Sequence, residues 1–329
     1  PVALHREGRR HGVSARDEPR SAQSRLAAYR AELDLFRQEF GGTRDLPDVR
    51  FFLFGMGPRA KFIYRSGRLL DAHSGAVVRQ WNIESDTIIP PDYGVVLETG
   101  DGERIAIVED ENAVWVEESG RRVAIEGTQA PLKLPTFEGH RYERVLRVLH
   151  QELLVNVTPA GPVPNFFVYS KPWYRDGAMM ALAFRETGNL GLVRDWILGL
   201  REPYDRNNGG MTEPDNLGQA MFLVSLVSDR NHPLVARVLA TYAQSLQRLL
   251  DQLRLAREGS DMQAVRLVAH TLKSSSASIG ALALSGLCAD TESRLREGQG
   301  DDLVALLDEL TEEGARVLAV VQSAPIAHR

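Results

Sequence analysis

Apolar positions between residues 21 and 40 recur at helical spacing, through Leu26, Tyr29, Leu33, Leu35, Phe36 and Phe40. They predict one amphipathic helix, with Ser21 as its cap and Gly41 with Gly42 as its stop. Ahead of it, Arg6, Arg9, Arg10, Arg16 and Arg20 stand among turn formers with few large apolar side chains, which predicts a loose head over residues 1–20. Over residues 49–126 the period shortens. Runs around Phe51 to Phe54, Lys61 to Tyr64, Val95 to Leu97, Arg104 to Val108, Val114 to Val116 and Val123 to Ile125 are short and β-rich. Ser66-Gly67, Ser74-Gly75, Gly100-Asp101-Gly102 and Ser119-Gly120 punctuate them. An antiparallel β domain is expected.

Beyond a loop containing Pro131 and Pro135, helical patterns cover residues 140–155, 172–187, 190–200 and 214–228. Pro172 and Pro214 suit first-turn positions, where a missing N–H costs nothing. Four longer amphipathic helices then follow over 234–258, 261–279, 281–297 and 301–321, separated by Gly259, Gly280 and Gly298-Gln299-Gly300. Short turns between such helices make an antiparallel bundle. The expected architecture is α+β and multidomain. It has a disordered head and helix over 1–48, an antiparallel β domain over 49–130, a helical hairpin segment over 131–232 and a C-terminal antiparallel four-helix bundle over 233–325.

A chain of 329 residues is long enough for several such cores. Its 39 basic and 44 acidic residues leave a net charge of -5, too balanced for nucleic acid to be the expected partner. Cys288 is the only cysteine, so no internal disulfide or thiolate metal site can form, and a reducing, cytoplasmic setting fits. No apolar run reaches the roughly 18 residues of a membrane helix. The start lacks both a signal peptide and an initiator Met, as expected of a piece of a longer product.

The most informative run is Val268 to Gly280. Leu267, Val268, Thr271, Leu272 and Ser275 mark an inward face, which leaves His270, Lys273 and Ser274 together outside at i, i+3 and i+4. An ordinary imidazole titrates near pH 6.5, so a nitrogen lone pair is available for phosphoryl transfer at about neutral pH. Lys273 can neutralise phosphate oxygens, and Ser274 is small enough to admit a partner's active site. The other histidines, His5, His11, His73, His140, His150, His232 and His328, show no ligand spacing and are expected to be solvated or structural.

The His-x-x-Lys-Ser pattern of His270, Lys273 and Ser274, with its flanks from Leu234 to Val321, resembles the histidine phosphotransfer (Hpt) domain of bacterial phosphorelays. The resemblance implies that His270 carries the phosphoryl group and Lys273 assists. It implies a response-regulator receiver domain and a hybrid histidine kinase as partners, with no cofactor or metal in this chain and Mg2+ on the receiver. The family more often has Gly where Ser274 stands, and its short lead-in helix is not evident beyond His232 and Pro233. No Walker lysine motif or kinase glycine boxes occur, so the chain is not expected to make phosphohistidine from ATP.

A second segment, Trp173, Tyr174, Arg175 and Asp176 ahead of a helical pattern, suits carbohydrate: a Trp face stacks on sugar, and Arg with Asp can hold adjacent hydroxyls. It resembles the helix entry of six-hairpin, glucoamylase-type glycosidases, which implies that Trp173, Arg175 and Asp176 contact sugar. Four helical patterns fall far short of that family's barrel of about a dozen helices, and the later acid and base carboxylates have no counterpart, so no glycosidase turnover is expected. Two weaker patterns complete the reading. Ile105 to Glu111 has the strand and acidic pair of a receiver but no following helix, and Phe54-Gly55-Met56-Gly57 lacks a helix start for a phosphate loop.

Overall fold

The computed structural model describes residues 19–41, 50–213, 215–228, 232–297 and 303–323, and the expected loose head therefore lies almost wholly outside the described residues. The expectations for Gly42, Pro214, Gly298 to Gly300 and Asp301 also lie outside them. The fold is α+β, and it divides into two compact units: residues 1–159 with 165–169 and 184–192, and residues 160–164 with 170–183 and 193–329.

In the first unit, helix α1 (Pro19–Phe40) starts before the expected cap, so Ser21 sits inside the helix. Proline fits a first turn because its fixed φ is already helical, and Pro19 opens α1. Strands β1 (Phe52–Phe54), β2 (Phe62–Arg65), β3 (Arg68–Asp71) and β4 (Val77–Gln80) form one antiparallel sheet in sequential order. A second antiparallel sheet runs in sequence through β5 (Ile83–Ile89), β6 (Gly94–Thr99), β7 (Arg104–Glu109), β8 (Val114–Glu118) and β9 (Arg121–Ala124). Strands β3, β4 and β5 were not expected: each is largely polar or exposed, so no apolar run marks it.

Successive strand residues point to opposite faces, and β6 is buried on both. Val95 and Leu97 join Phe54, Tyr64, Ile105 and Ile107 in the core shared by the two sheets. Val96, with Ala106 and Val108, instead packs with Ala22 of α1. The registers Val95 with Ile107 and Ile107 with Val116 keep these side chains on one face.

A buried charge cluster closes this unit. The Arg59 guanidinium lies 2.9 Å from the Glu109 carboxylate, and both side chains are fully buried. Glu109 also accepts hydrogen bonds from the backbone N–H groups of Gly55 (2.9 Å) and Met56 (2.7 Å). Lys61 donates to the carbonyls of Gly55 and Gly57, and burial pulls its ammonium pKa down to about 8. The amides that a phosphate-binding loop would offer are therefore taken by Glu109. Gly55 has φ of +103°, and a Cβ there would stand 2.2 Å from the Ala60 carbonyl oxygen, so only glycine fits.

Helix α2 (Glu143–Val155) carries His150 into the same unit. Its Nε2 lies 3.1 Å from Thr187 Oγ1, while its buried Nδ1 has no hydrogen-bond partner among the described residues. His140 is structural too, accepting from the Tyr142 N–H.

Helices α3 (Tyr174–Glu186), α4 (Gly191–Gly199) and α5 (Asn216–Val227) follow. Pro172 stands two residues ahead of α3 rather than in its first turn. The Tyr174 N–H is satisfied instead by the Asp205 carboxylate at 2.8 Å. Helices α6 (Pro233–Glu258), α7 (Met262–Ser278), α8 (Leu282–Glu297) and α9 (Leu303–Ser323) form the expected bundle in the second unit, each packed against the next and α9 closing on α6. Pro233 opens α6 behind His232, whose Nδ1 accepts the Leu234 N–H at 3.2 Å. Asp261 caps α7 through the Ala264 N–H at 2.9 Å.

Inside the bundle, Val238, Leu246, Leu272, Leu284 and Leu310 are buried. The one buried polar link between α6 and α7 described here is Tyr242 Oη with Ser276 Oγ, 3.0 Å apart. Helix α5 packs across α6 and α7, closely enough that a Cβ at Gly218 would lie 2.6 Å from the Ser278 Cβ.

Burial lowers the His150 pKa to about 4, so the fold holds it neutral while the unfolded chain takes up a proton below the usual value of 6.5. Its contribution is complete above pH 6.5 and is lost as pH falls toward about 4. Denaturant melts at pH 7.5 and 5.0 are expected to show the native chain losing roughly 2 kcal/mol more than His150→Gln. Equal losses would show that His150 is not the group that titrates.

Candidate functional site

The site is built on the α7–α8 hairpin. Gly280, with φ of +85°, sits between the two helices, and the Ala281 N–H returns to the Ser276 carbonyl at 2.9 Å. So tight a turn sets the two helices antiparallel and in fixed register. Ser285 Oγ reinforces that register by donating to the Lys273 carbonyl at 2.9 Å. Val268, Leu272 and Ser275 are buried as expected. Leu267 is not: it is 66% exposed, because the inward stripe of α7 is narrower than the sequence pattern suggested.

His270 presents its imidazole on the open face of α7, with the side chain 59% exposed. Opposite it on α8 stands Glu292, a residue to which the sequence pattern had assigned no role. One carboxylate oxygen lies 3.0 Å from His270 Nδ1, and the other accepts from Lys273 Nζ at 2.6 Å. These hydrogen bonds, from Lys273 first and His270 second, hold the Glu292 carboxyl below its usual range. An ionised carboxylate can only accept, so Nδ1 carries the proton and Nε2 keeps the lone pair. The cross-helix carboxylate thus does three things: it orients the ring, selects the tautomer and anchors the lysine. Only the mirrored register of α7 and α8 about Gly280 could have pointed to it from sequence.

Ser274 is exposed beside them, and its carbonyl accepts from Ser278 Oγ at 2.9 Å. Cys288, one turn before Glu292 on α8, is buried, and desolvation pushes its thiol up to about 12, which makes it an inert core side chain. Among the described residues no group of His, Cys, Asp and Glu is arranged to hold a metal ion.

The second sequence-predicted group is not assembled as expected. Arg175 does not form a clamp with Asp176. Its guanidinium pairs with Asp215 at 2.7 Å and with Glu213 at 3.3 Å. A guanidinium fork matches a carboxylate bidentately, and Asp215 receives both Nε and Nη2 of Arg175. Those pairs tie the start of α3 to the start of α5. Trp173 is half-buried just ahead of α3, and Asp176 lies in the first turn of that helix.

Residues 237–320 match the family model of the Hpt domain. The match falls on α6 to α9 and includes His270, Lys273 and Glu292. The match supports an Hpt domain in these helices, a family of histidine phosphotransfer modules that work in phosphorelay signalling with receiver domains and histidine kinases. No curated protein and no solved structure matches the chain. The glycosidase-like resemblance of the middle segment finds no support in these comparisons.

Nitrogen NMR of His270 at pH 7.5 is expected to show the Nδ1–H tautomer dominant. In Glu292→Ala the ring should move toward the Nε2–H form that free imidazole prefers. An unchanged tautomer ratio in that variant would remove Glu292 from the site.

Proposed function

We propose that His270 is the phosphoryl acceptor and donor of a phosphorelay, exchanging the group with an aspartate on a separate receiver domain. The observation that carries this reading is the exposed imidazole whose Nδ1 is engaged by Glu292, which leaves Nε2 facing outward with its lone pair. In the forward step Nε2 attacks phosphorus, the bond from phosphorus to the aspartyl oxygen breaks, and the aspartate leaves as a carboxylate. Nδ1 keeps its proton throughout. The ring becomes cationic as the N–P bond forms, and the Glu292 carboxylate stabilises that charge.

Lys273 supplies the second electrostatic element. Glu292 takes one of its three N–H groups, and the others face the phosphoryl oxygens as charge builds on them. Ser274 keeps the approach to His270 low, so that a partner's active site can close over the imidazole. The receiver holds the Mg2+ that its own phospho-aspartate chemistry needs, and a hybrid histidine kinase stands upstream. The module spans residues 233–325 and works in the cytoplasm. No described helix is long and apolar enough to cross a membrane.

Incubation with a phosphorylated receiver is expected to place one acid-labile phosphate on His270, and His270→Gln should take up none. Equal labelling of that variant would overturn the assignment. Lys273→Ala should retain its helical circular dichroism while transfer slows on the order of ten- to a hundredfold, as expected for loss of one charge-stabilising donor. An unaltered rate would leave Lys273 as a structural partner of Glu292.

A further inference from the structure

A cleft of about 310 Å3 opens on the second unit between the segment Glu202 to Arg206 and the outer stripe of α6, with no residue of α7 in its lining. Tyr204, Arg206, Arg237 and Thr241 line it. Arg237 and Thr241 share a face of α6 at i and i+4, and Arg248 lies further along that face at i+11. Two guanidinium groups, those of Arg206 and Arg237, line the opening; Arg248 stands outside the lining, though its charge also acts on the Tyr204 hydroxyl.

Their partners are unequal. Arg237 is paired with Glu202 at 2.9 Å, both side chains being largely exposed. Arg206 and Arg248 have no carboxylate partner among the described residues. The nearby Asp205 does not serve them, since its two oxygens accept the N–H groups of Tyr174 and Asn207. Arg206 is also held at φ of +55°, in the left-handed region that a side-chain-bearing residue rarely adopts. A strained backbone thus sets an unpaired arginine at the rim of a cleft.

We propose that this cleft is a binding site for a small ligand bearing a phosphate group. Glu202 offsets the charge of one of the two arginines that line the cleft, and once it is displaced the two guanidinium groups match a phosphate dianion better than a single carboxylate. Guanidinium forks and the Tyr204 and Thr241 hydroxyls supply the N–H and O–H donors that phosphate oxygens accept. The exposed Arg237–Glu202 pair is weak enough to open, so the ligand would displace Glu202 and take Arg237 as its second guanidinium contact beside Arg206. The volume admits the phosphate with a few further atoms, which excludes a large polyanion from lying wholly within it.

Equilibrium dialysis of the full chain against labelled inorganic phosphate, and against glycerol 3-phosphate and acetate, tests the site. One saturable site per chain is expected for the phosphate compounds and none for acetate. Tighter binding of glycerol 3-phosphate would identify an ester as the ligand class, and equal binding would identify free phosphate. Arg206→Ala should weaken binding by about tenfold, and Glu202→Gln should strengthen it. His270→Gln should bind as the native chain does, which separates this site from phosphotransfer. Absence of saturable binding, equal binding of acetate, or an equal loss in the paired surface variant Arg254→Ala would overturn the proposal.

Discussion

Everything distinctive about the α7–α8 face depends on one carboxylate. Glu292 reaches across from α8 to hold His270 and Lys273 at once. Neither α7 residue is oriented by its own helix: both side chains leave the same exposed stripe, where rotamer freedom is large. A bridging acceptor converts that freedom into one geometry. The exposed ends of such contacts are worth little to stability, so the bridge serves positioning more than folding. Its side chain is only 13% exposed, which shields the carboxylate from water more than either of its partners.

The first unit uses charge in the opposite way. Arg59 and Glu109 are fully buried, and each has further partners: Glu109 takes two backbone N–H groups, and Arg59 donates to the Asp110 carbonyl at 2.8 Å and to the Ala130 carbonyl. A buried ion pair survives only when its remaining valences are met, and here they are met by turns that would otherwise lack partners. Removing either residue would strand a charge in the core, at a cost of roughly 3–5 kcal/mol. The two clusters mark the difference between a charge that sets a fold and one that orients exposed side chains.

The helical bundle was legible because period, glycine spacing and caps agree: Asp261, Gly259 and Gly280 stand where the helices begin and end. His270, Lys273 and Ser274 were legible because a helix brings i, i+3 and i+4 together without any long-range information. Glu292 was not, because its meeting with His270 depends on the register of two helices, which no local pattern carries. Strands β3 to β5 escaped for a related reason, since they are short or largely exposed and their pairing defines them. Arg175 and Asp176 looked like a pair because they are adjacent. Adjacent helical residues diverge by about 100°, and Arg175 instead found Asp215, forty residues away.

The position of Cys288 shows how the reactive face and the core are kept apart on one helix. Cys288 and Glu292 are a turn apart on α8, yet burial holds the thiol protonated while hydrogen bonds hold the carboxyl ionised. The same desolvation that silences Cys288 would silence Glu292 if α8 were rotated inward by one residue. The rotation is fixed by Leu284 and Thr291, both fully buried, with Thr291 bonded back to the Leu287 carbonyl at 2.8 Å. Core packing on α8 therefore determines the tautomer of a histidine on α7. The orientation and tautomer of His270 are properties of the hairpin, not of its own helix.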